Sequence, residues 1–234
     1  MDTIWKNRIG TECFIFLDDL IIYSRTAEEH ASRPGNVLHR FDEASLQLHT
    51  GKCVFAKWQV QYLGYILSGN GISASPEKVK AERQYRTPKC VTDVRAFLGL
   101  ASFYRWLVPN FVEIAKPLSK ITRKDLDFTW GTCQQEAFES LKAKLCTTPV
   151  LGYPNFKLYF ILATDGSKTA IGVVLSQIKD DMKRLLAYAS RQLNIAESAY
   201  SVSEIELLAL VWATKYFRCY LLGSKFVVKP IMLH

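Results

Sequence analysis

The hydrophobic period of this 234-residue chain changes from helical to strand-like beyond residue 154, and that change restricts its architecture. Between residues 91 and 146 apolar side chains return every three or four positions, as in Val94, Phe97, Leu98, Ala101, Tyr104 and Leu107. This spacing predicts helices over 91–109, 111–121 and 132–146. Pro109-Asn110 ends the first, and a Thr132-x-x-Gln135 capping box opens the last. Residues 149–154, bounded by two prolines, read as a linker. Beyond them the apolar residues form short β-prone runs over 158–165, 170–177 and 184–190, the last two joined by a Lys179-Asp180-Asp181 turn. A helix over 202–220, opened by a Ser201-x-x-Glu204 capping box and ended by Gly223, precedes a fourth strand over 225–229. Strands, a helix and a further strand make an α/β module. Phe97, Tyr104 and Trp212 read as core; Phe103 and Trp106 have the chemistry to stack on bases.

The N-terminal part follows another pattern. Two apolar runs, Cys13-Phe14-Ile15-Phe16-Leu17 and Leu20-Ile21-Ile22-Tyr23-Ser24, flank Asp18-Asp19. That is a hairpin with both acids at or near its turn. Turn aspartates are commonly solvated. These flanks are too apolar for an exposed hairpin, however, and two carboxylates at a buried tip need a counter-charge such as a divalent cation. Residues 28–48 have helical periodicity, but Pro34-Gly35 argues against one continuous helix. Residues 53–55 and 60–67 read as strands, and 68–71 as a turn. Ser75-Pro76-Glu77 opens a helix with Ser75 as N-cap and Pro76 in its first turn.

Composition narrows the class. Hydrophobic residues are 49 % and charged residues 22 %, which suits a packed globular chain of one or two domains. Six scattered cysteines form no CxxC pair, so reduced thiols and an intracellular setting, cytoplasmic or nuclear, are expected. The N-terminus lacks a signal-peptide run, and no apolar stretch is long enough for a membrane span. The net charge of +8 favours a polyanionic partner without requiring one.

Two further acids stand out. Asp165 ends an apolar strand in Thr164-Asp165-Gly166-Ser167. Glu206 sits in the first turns of the long helix, on a face with Leu210, Ala213 and Phe217, which points it partly inward. Such a pair suits two-metal phosphodiester chemistry; it equally suits a turn aspartate and a glutamate at a helix dipole. Glu204 is explained by its capping box.

The motifs are also collinear with a known family. FLDDLIIYS followed by EEH resembles the polymerase hairpin of reverse transcriptases. KCVFAKWQVQYLGYILSGNGIS resembles their primer-contacting segment. VRAFLGLASFYRWLVPNFVEIAKPL, FTWGTCQQEAFESLK and PVLGYPNF resemble the thumb and connection of gypsy-type long-terminal-repeat retrotransposon polyproteins. LATDGS and LAYASRQLNIAESAYSVSEIELLALVWATKYFRCYLLGSKF resemble their tethered ribonuclease H. The resemblance implies an α+β palm and thumb remnant with a helical connection, then an incomplete α/β ribonuclease H-like domain. The implied segments are 1–72 (palm remnant), 73–154 (thumb and connection) and 155–234 (ribonuclease H-like). It also implies that Asp18 and Asp19 are the polymerase's adjacent metal-binding aspartates, and that Asp165 and Glu206 are nuclease carboxylates. Mg²⁺ would be the cofactor, and an RNA–DNA hybrid or template-primer the partner.

The sequence departs from the family at both sites. The polymerase takes another aspartate from an upstream strand, whereas only Asp2 and Glu12 precede this hairpin, outside that pattern. No acidic residue follows Glu206, where the family continues to Thr-Asp-His. Gly166 stands where the family commonly has Ala, and Pro34-Gly35 where it has uninterrupted helix. Pro230 is poor in a central strand, so the last strand is expected at an edge. With a carboxylate missing at each site, the chain alone is expected to polymerise and cleave weakly or not at all. The alternatives are a non-catalytic nucleic-acid-binding module, using Lys78, Lys80, Arg83, Arg86, Lys89, Arg95, Arg105, Lys116, Lys120, Arg123 and Lys124, or the product of a decayed element.

Overall fold

A computed structural model describes residues 10–17, 19–123 and 126–230. The chain divides into two compact units, 1–69 and 70–234.

The first unit begins with an antiparallel hairpin, β1 (Cys13–Phe16) and β2 (Asp19–Ile22), in register from Cys13 opposite Ile22 to Phe16 opposite Asp19. Leu17 takes a positive φ of 54° at its bend. Helix α1 (Ala27–Glu43) follows, with the Thr26 hydroxyl accepting from the Glu29 amide. Cys13 and Val37 form a small core with Ile15, Leu20, Ile22 and Phe41 around it.

Contrary to the sequence expectation, α1 runs unbroken through Pro34. Proline removes one backbone donor and crowds the preceding turn. The Thr26 cap, the Glu29–Arg33 ion pair at 3.1 Å and buried Val37 hold the helix on either side. Pro34→Ala should therefore stabilise the first unit by about 1–2 kcal/mol, the restored hydrogen bond being partly offset by a more flexible unfolded chain. Urea denaturation followed by circular dichroism checks this; an unchanged midpoint would show that the helix already absorbs the proline.

Two strand expectations are corrected. Residues 53–55 are not a strand: they follow a 3₁₀ turn at Thr50–Lys52, and Val54 and Phe55 are exposed. Residues 60–67 are not one strand but a hairpin of β3 (Gln59–Tyr62) and β4 (Tyr65–Ser68). Leu63 and Gly64 take φ of 49° and 80°, the two positive values that a tight hairpin turn demands.

The second unit opens with β5 (Gly71–Ala74). Ile72 bridges Leu151 through amide-to-carbonyl bonds of 2.8 and 2.9 Å. Leu151 is completely buried, so the stretch read as a linker is anchored to the core at that residue, while Val150 and Tyr153 stay exposed. Gly71, at φ 142°, allows the approach: a Cβ there would lie 2.1 Å from the Leu151 carbonyl oxygen.

Helices α2 (Pro76–Arg83), α3 (Val91–Phe103), α4 (Phe111–Lys120) and α5 (Thr132–Cys146) follow. The helix expected over 91–109 ends at Phe103 and tightens into a 3₁₀ turn at Arg105–Leu107. Ser75 precedes α2 as expected, but its buried hydroxyl makes no capping bond. The cap of α5 lies one residue earlier than expected. Gly131 is the N-cap, its amide donating to Gln134, while Gln135 accepts from the Trp130 indole at 2.9 Å. Phe97 and Tyr104 are buried as read, and Phe138 is buried with them; Phe103 is exposed.

The terminal sheet comprises β6 (Phe160–Gly166), β7 (Ala170–Lys179), β8 (Met182–Gln192) and β9 (Phe226–Pro230), in the order β8-β7-β6-β9. Its first three strands are antiparallel neighbours, and β9 runs parallel to β6 as an edge. Between β8 and β9 lie α6 (Ile195–Ser198), α7 (Val202–Tyr216) and α8 (Arg218–Leu221). The single helix expected over 202–220 thus breaks at Phe217. Ile205, Ala209 and Ala213 form the buried stripe of α7. Ile205 and Ala209 pack with Ile171, and Ala213 with Phe160, Leu162, Val173 and Leu175. Trp212 packs against both clusters, with the Arg191 guanidinium 5.9 Å from its ring. This is the expected mixed α/β architecture.

Candidate metal and nucleic-acid site

At the N-terminal hairpin, Asp18 lies outside the described residues. Asp19 is the first residue of β2, exposed beside the bend. The Tyr62 hydroxyl donates to the Asp19 carbonyl at 3.4 Å. Burial first, and the nearby Asp19 charge second, push the Tyr62 phenol above its usual range. The sequence alone did not single out Tyr62, because its link to Asp19 spans 43 residues.

In the second unit, strand register decides where Asp165 stands. Asp165 pairs with Gly172, and Gly166 with Ile171. A Cβ on Gly166 would lie 2.5 Å from the Ile205 side chain, so that pair faces α7. A Cβ on Gly172 would lie 2.8 Å from the Asn110 carboxamide, just ahead of α4. Directly paired residues share a sheet face, so Asp165 rises from the side covered by Asn110. At the strand end it also borders the α7 side. Asp165 and Glu206 line a single cleft of about 370 Å³ with Thr164, Ser203, Leu210 and Val228.

Glu206 is exposed, a correction to the expectation that it points partly inward. The helix turns its Ile205 stripe to the sheet and leaves Glu206 on the flank, one residue around. Glu204 is absorbed by its cap: its carboxylate accepts from the Ser201 amide at 2.8 Å and hydroxyl at 2.7 Å. The amide bond foremost, then the hydroxyl, holds that carboxyl below its usual range.

Asp165 also borders a small recess with Asn110, Glu113, Ser167, Gly172 and Ser190. The Ser167 hydroxyl lies 3.3 Å from the Glu113 carboxylate. Arg105 donates to the Ser190 carbonyl at 2.7 Å, and the Val112 amide to the Ser190 hydroxyl at 3.2 Å. By local pattern Arg105 is a surface cation and Asn110 a helix terminator. Their partners are 85 and 62 residues away in sequence, beyond the reach of local pattern.

Two carboxylates beside an open cleft suit a hard divalent cation, which commonly takes one or two protein carboxylates and completes its shell with water and phosphate. Among the described residues no group of three or more His, Cys, Asp or Glu comes together. Of the cations considered for nucleic-acid contact, Lys78, Lys80, Arg83 and Lys120 on helices and Arg86, Lys89 and Arg123 in the segments between them are exposed. Arg95 donates to the Thr122 carbonyl, and Lys124 lies outside the described residues. No described helix is long and apolar enough to cross a membrane.

Residues 1–67 match the family described as reverse transcriptase (RNA-dependent DNA polymerase), and residues 130–228 match the RNase H-like domain found in reverse transcriptase. The chain is 40 % identical over 229 residues to the retrovirus-related Pol polyprotein from transposon 297 of Drosophila melanogaster, covering 97 % of the chain. It is 37 % identical over 237 residues to the corresponding polyprotein from transposon gypsy, covering 96 % of the chain. The chain belongs to the reverse transcriptase–RNase H family of retrotransposon Pol polyproteins. It spans 21 % and 22 % of those two relatives. A Tf2-3 transposon polyprotein of Schizosaccharomyces pombe is 34 % identical over 222 residues, covering 94 % of the chain and 17 % of the polyprotein. Among solved structures, the foamy viral protease-reverse transcriptase in complex with RNA/DNA hybrid gives a TM-score of 0.86 at 21 % identity. That match covers 100 % of this chain and 32 % of the other. A dRH form of the foamy viral enzyme, in complex with double-stranded DNA, gives 0.87 at 21 % identity, covering 100 % and 41 %. These likenesses establish the fold.

Proposed function

We propose that this chain is the part of a retrotransposon polymerase–nuclease that holds an RNA–DNA hybrid or template-primer. In this reading residues 1–72 are the palm remnant, 73–154 the thumb and connection, and 155–234 the ribonuclease H-like domain. The observation that carries it is Asp165 and Glu206 on one cleft, in a chain whose two ends match the two halves of that family. Asp165 and Glu206 would hold Mg²⁺ in the nuclease, and Asp18 and Asp19 in the polymerase. A bound divalent cation would stabilise charge in phosphodiester displacement. The chain's own part is to orient the carboxylates and to meet phosphates with exposed cations such as Lys78, Lys80 and Arg83.

Fluorescence anisotropy with a labelled RNA–DNA hybrid tests this. Log affinity is expected to fall steeply with log salt, about 0.9 per phosphate contact for a duplex. A flat salt response would sink the nucleic-acid reading. Mg²⁺-dependent hybrid cleavage abolished by Asp165→Asn would show that Asp165 serves the chemistry as well as the binding.

A further inference from the structure

We infer that Asn110 is a positioning residue for Asp165, so that the helical segment helps to set the nuclease-type carboxylate of the terminal sheet. This rests on the reading of Asp165 and Glu206 as a cation-binding pair.

Asn110 stands at the N-cap of α4, where an Asn side chain ordinarily accepts from an amide of its own helix. Here it makes no such bond. Its backbone is left-handed, with φ 52°, a conformation Asn tolerates better than most residues. The freed carboxamide lies over Gly172, in the space a side chain would fill, 2.8 Å from the ideal Cβ position. Gly172 is the direct cross-strand partner of Asp165. Asn110 and Asp165 therefore stand on one sheet face and line a recess of about 10 Å³, the size of a single water molecule.

The placement is braced on both sides. Arg105 and the Val112 amide both bond to Ser190, which pairs with Gly172 on the next strand. Ser167 closes the turn after Asp165, its hydroxyl accepting from the Ala170 amide at 3.1 Å and lying 3.3 Å from Glu113. An amide next to a cation-binding carboxylate limits the orientations that carboxylate adopts, and outer partners of this kind tune metal affinity.

The test is Mn²⁺ alone, titrated into the full chain with free Mn²⁺ read by electron paramagnetic resonance. Asn110→Gly keeps the left-handed backbone and removes the carboxamide. It is expected to weaken Mn²⁺ binding about tenfold, with a thermal midpoint close to that of the unmodified chain. Gly172→Ala keeps Asn110 but pushes its amide aside; it should act in the same direction and serves if Asn110→Gly fails to fold. In the Asp165→Asn background Asn110→Gly should add nothing, because the group it positions is gone. Equal loss in both backgrounds would mean a general structural role and overturn the assignment. So would unchanged affinity in both Asn110→Gly and Gly172→Ala while Asp165→Asn and Glu206→Gln weaken binding; the cation reading would then stand without Asn110. If Asp165→Asn and Glu206→Gln leave affinity unchanged, the cation reading itself fails and this inference falls with it.

Discussion

Phe160→Ala is expected to lower the stability of the second unit by about 3–5 kcal/mol, the usual cost of emptying a large buried aromatic site. Phe160 is fully buried at the start of β6, among Leu162, Val173, Leu175, Ala213 and Phe217. Its ring meets Phe156 at 5.8 Å and Tyr220 at 6.3 Å, both edge-on. Phe97→Ala should cost a similar amount from the other end of the unit, since Phe97 packs 4.7 Å from Phe138 and 5.3 Å from Tyr85. The second unit joins the helical segment and the sheet in one compact body, tied by Arg105, Asn110 and Val112. Both substitutions should therefore depress one shared calorimetric transition. Two transitions, each shifted by only one substitution, would show that helices and sheet unfold independently.

Glu82→Gln is expected to stabilise the same unit by about 2–3 kcal/mol at pH 8, because an ionised buried carboxylate without partners is more costly than a neutral amide. Glu82 is 1 % exposed on α2, and neither carboxylate oxygen has a hydrogen-bond partner. Burial pushes its carboxyl up to about 7. The folded value exceeds the unfolded one, so the folded state binds the proton more tightly. Glu82 is therefore least costly below the unfolded value, near 4.5, and stability falls as pH rises through about 7. Denaturant midpoints between pH 5 and 8 check this. The unmodified chain should lose stability across that window, and Glu82→Gln, whose amide does not titrate, should remove much of the slope. Parallel pH profiles would mean that Glu82 gains a proton-independent partner in solution.

What can be read in advance depends on how far apart the interacting residues lie. The hairpin β1–β2, the amphipathic helices and strands β6–β8 follow from local period and turn chemistry. The Asp180-Asp181 turn, for instance, takes φ of 53° and 57°. The capping box of α7 forms from Ser201 and Glu204, as their spacing predicts. Local signals fail where a distant partner overrides them. Pro34 stays helical because Cys13 and its neighbours pack against Val37. Residues 149–154 are not a free linker because Leu151 completes a bridge with Ile72. The Leu63-Gly64 turn escapes a sequence reading because Leu gives no advance sign of a positive φ.

The candidate site divides the same way. Residue type and position offer Asp19, Asp165 and Glu206 only as candidates, because acids are common at turns and in the first turn of a helix; the collinear resemblance to the family is what distinguishes them from ordinary surface charges. The sequence also determined where helices give way to the terminal sheet, through its change of hydrophobic period beyond residue 154; the division into units 1–69 and 70–234 falls elsewhere and came only from tertiary contacts. Tertiary structure decided what stands around Asp165. The β6–β7 register sets it opposite Gly172, and the docking of α4 brings Asn110 and Glu113 to the same face. That choice depends on which sheet face buries which helix, a long-range packing decision that no local spacing of residues encodes.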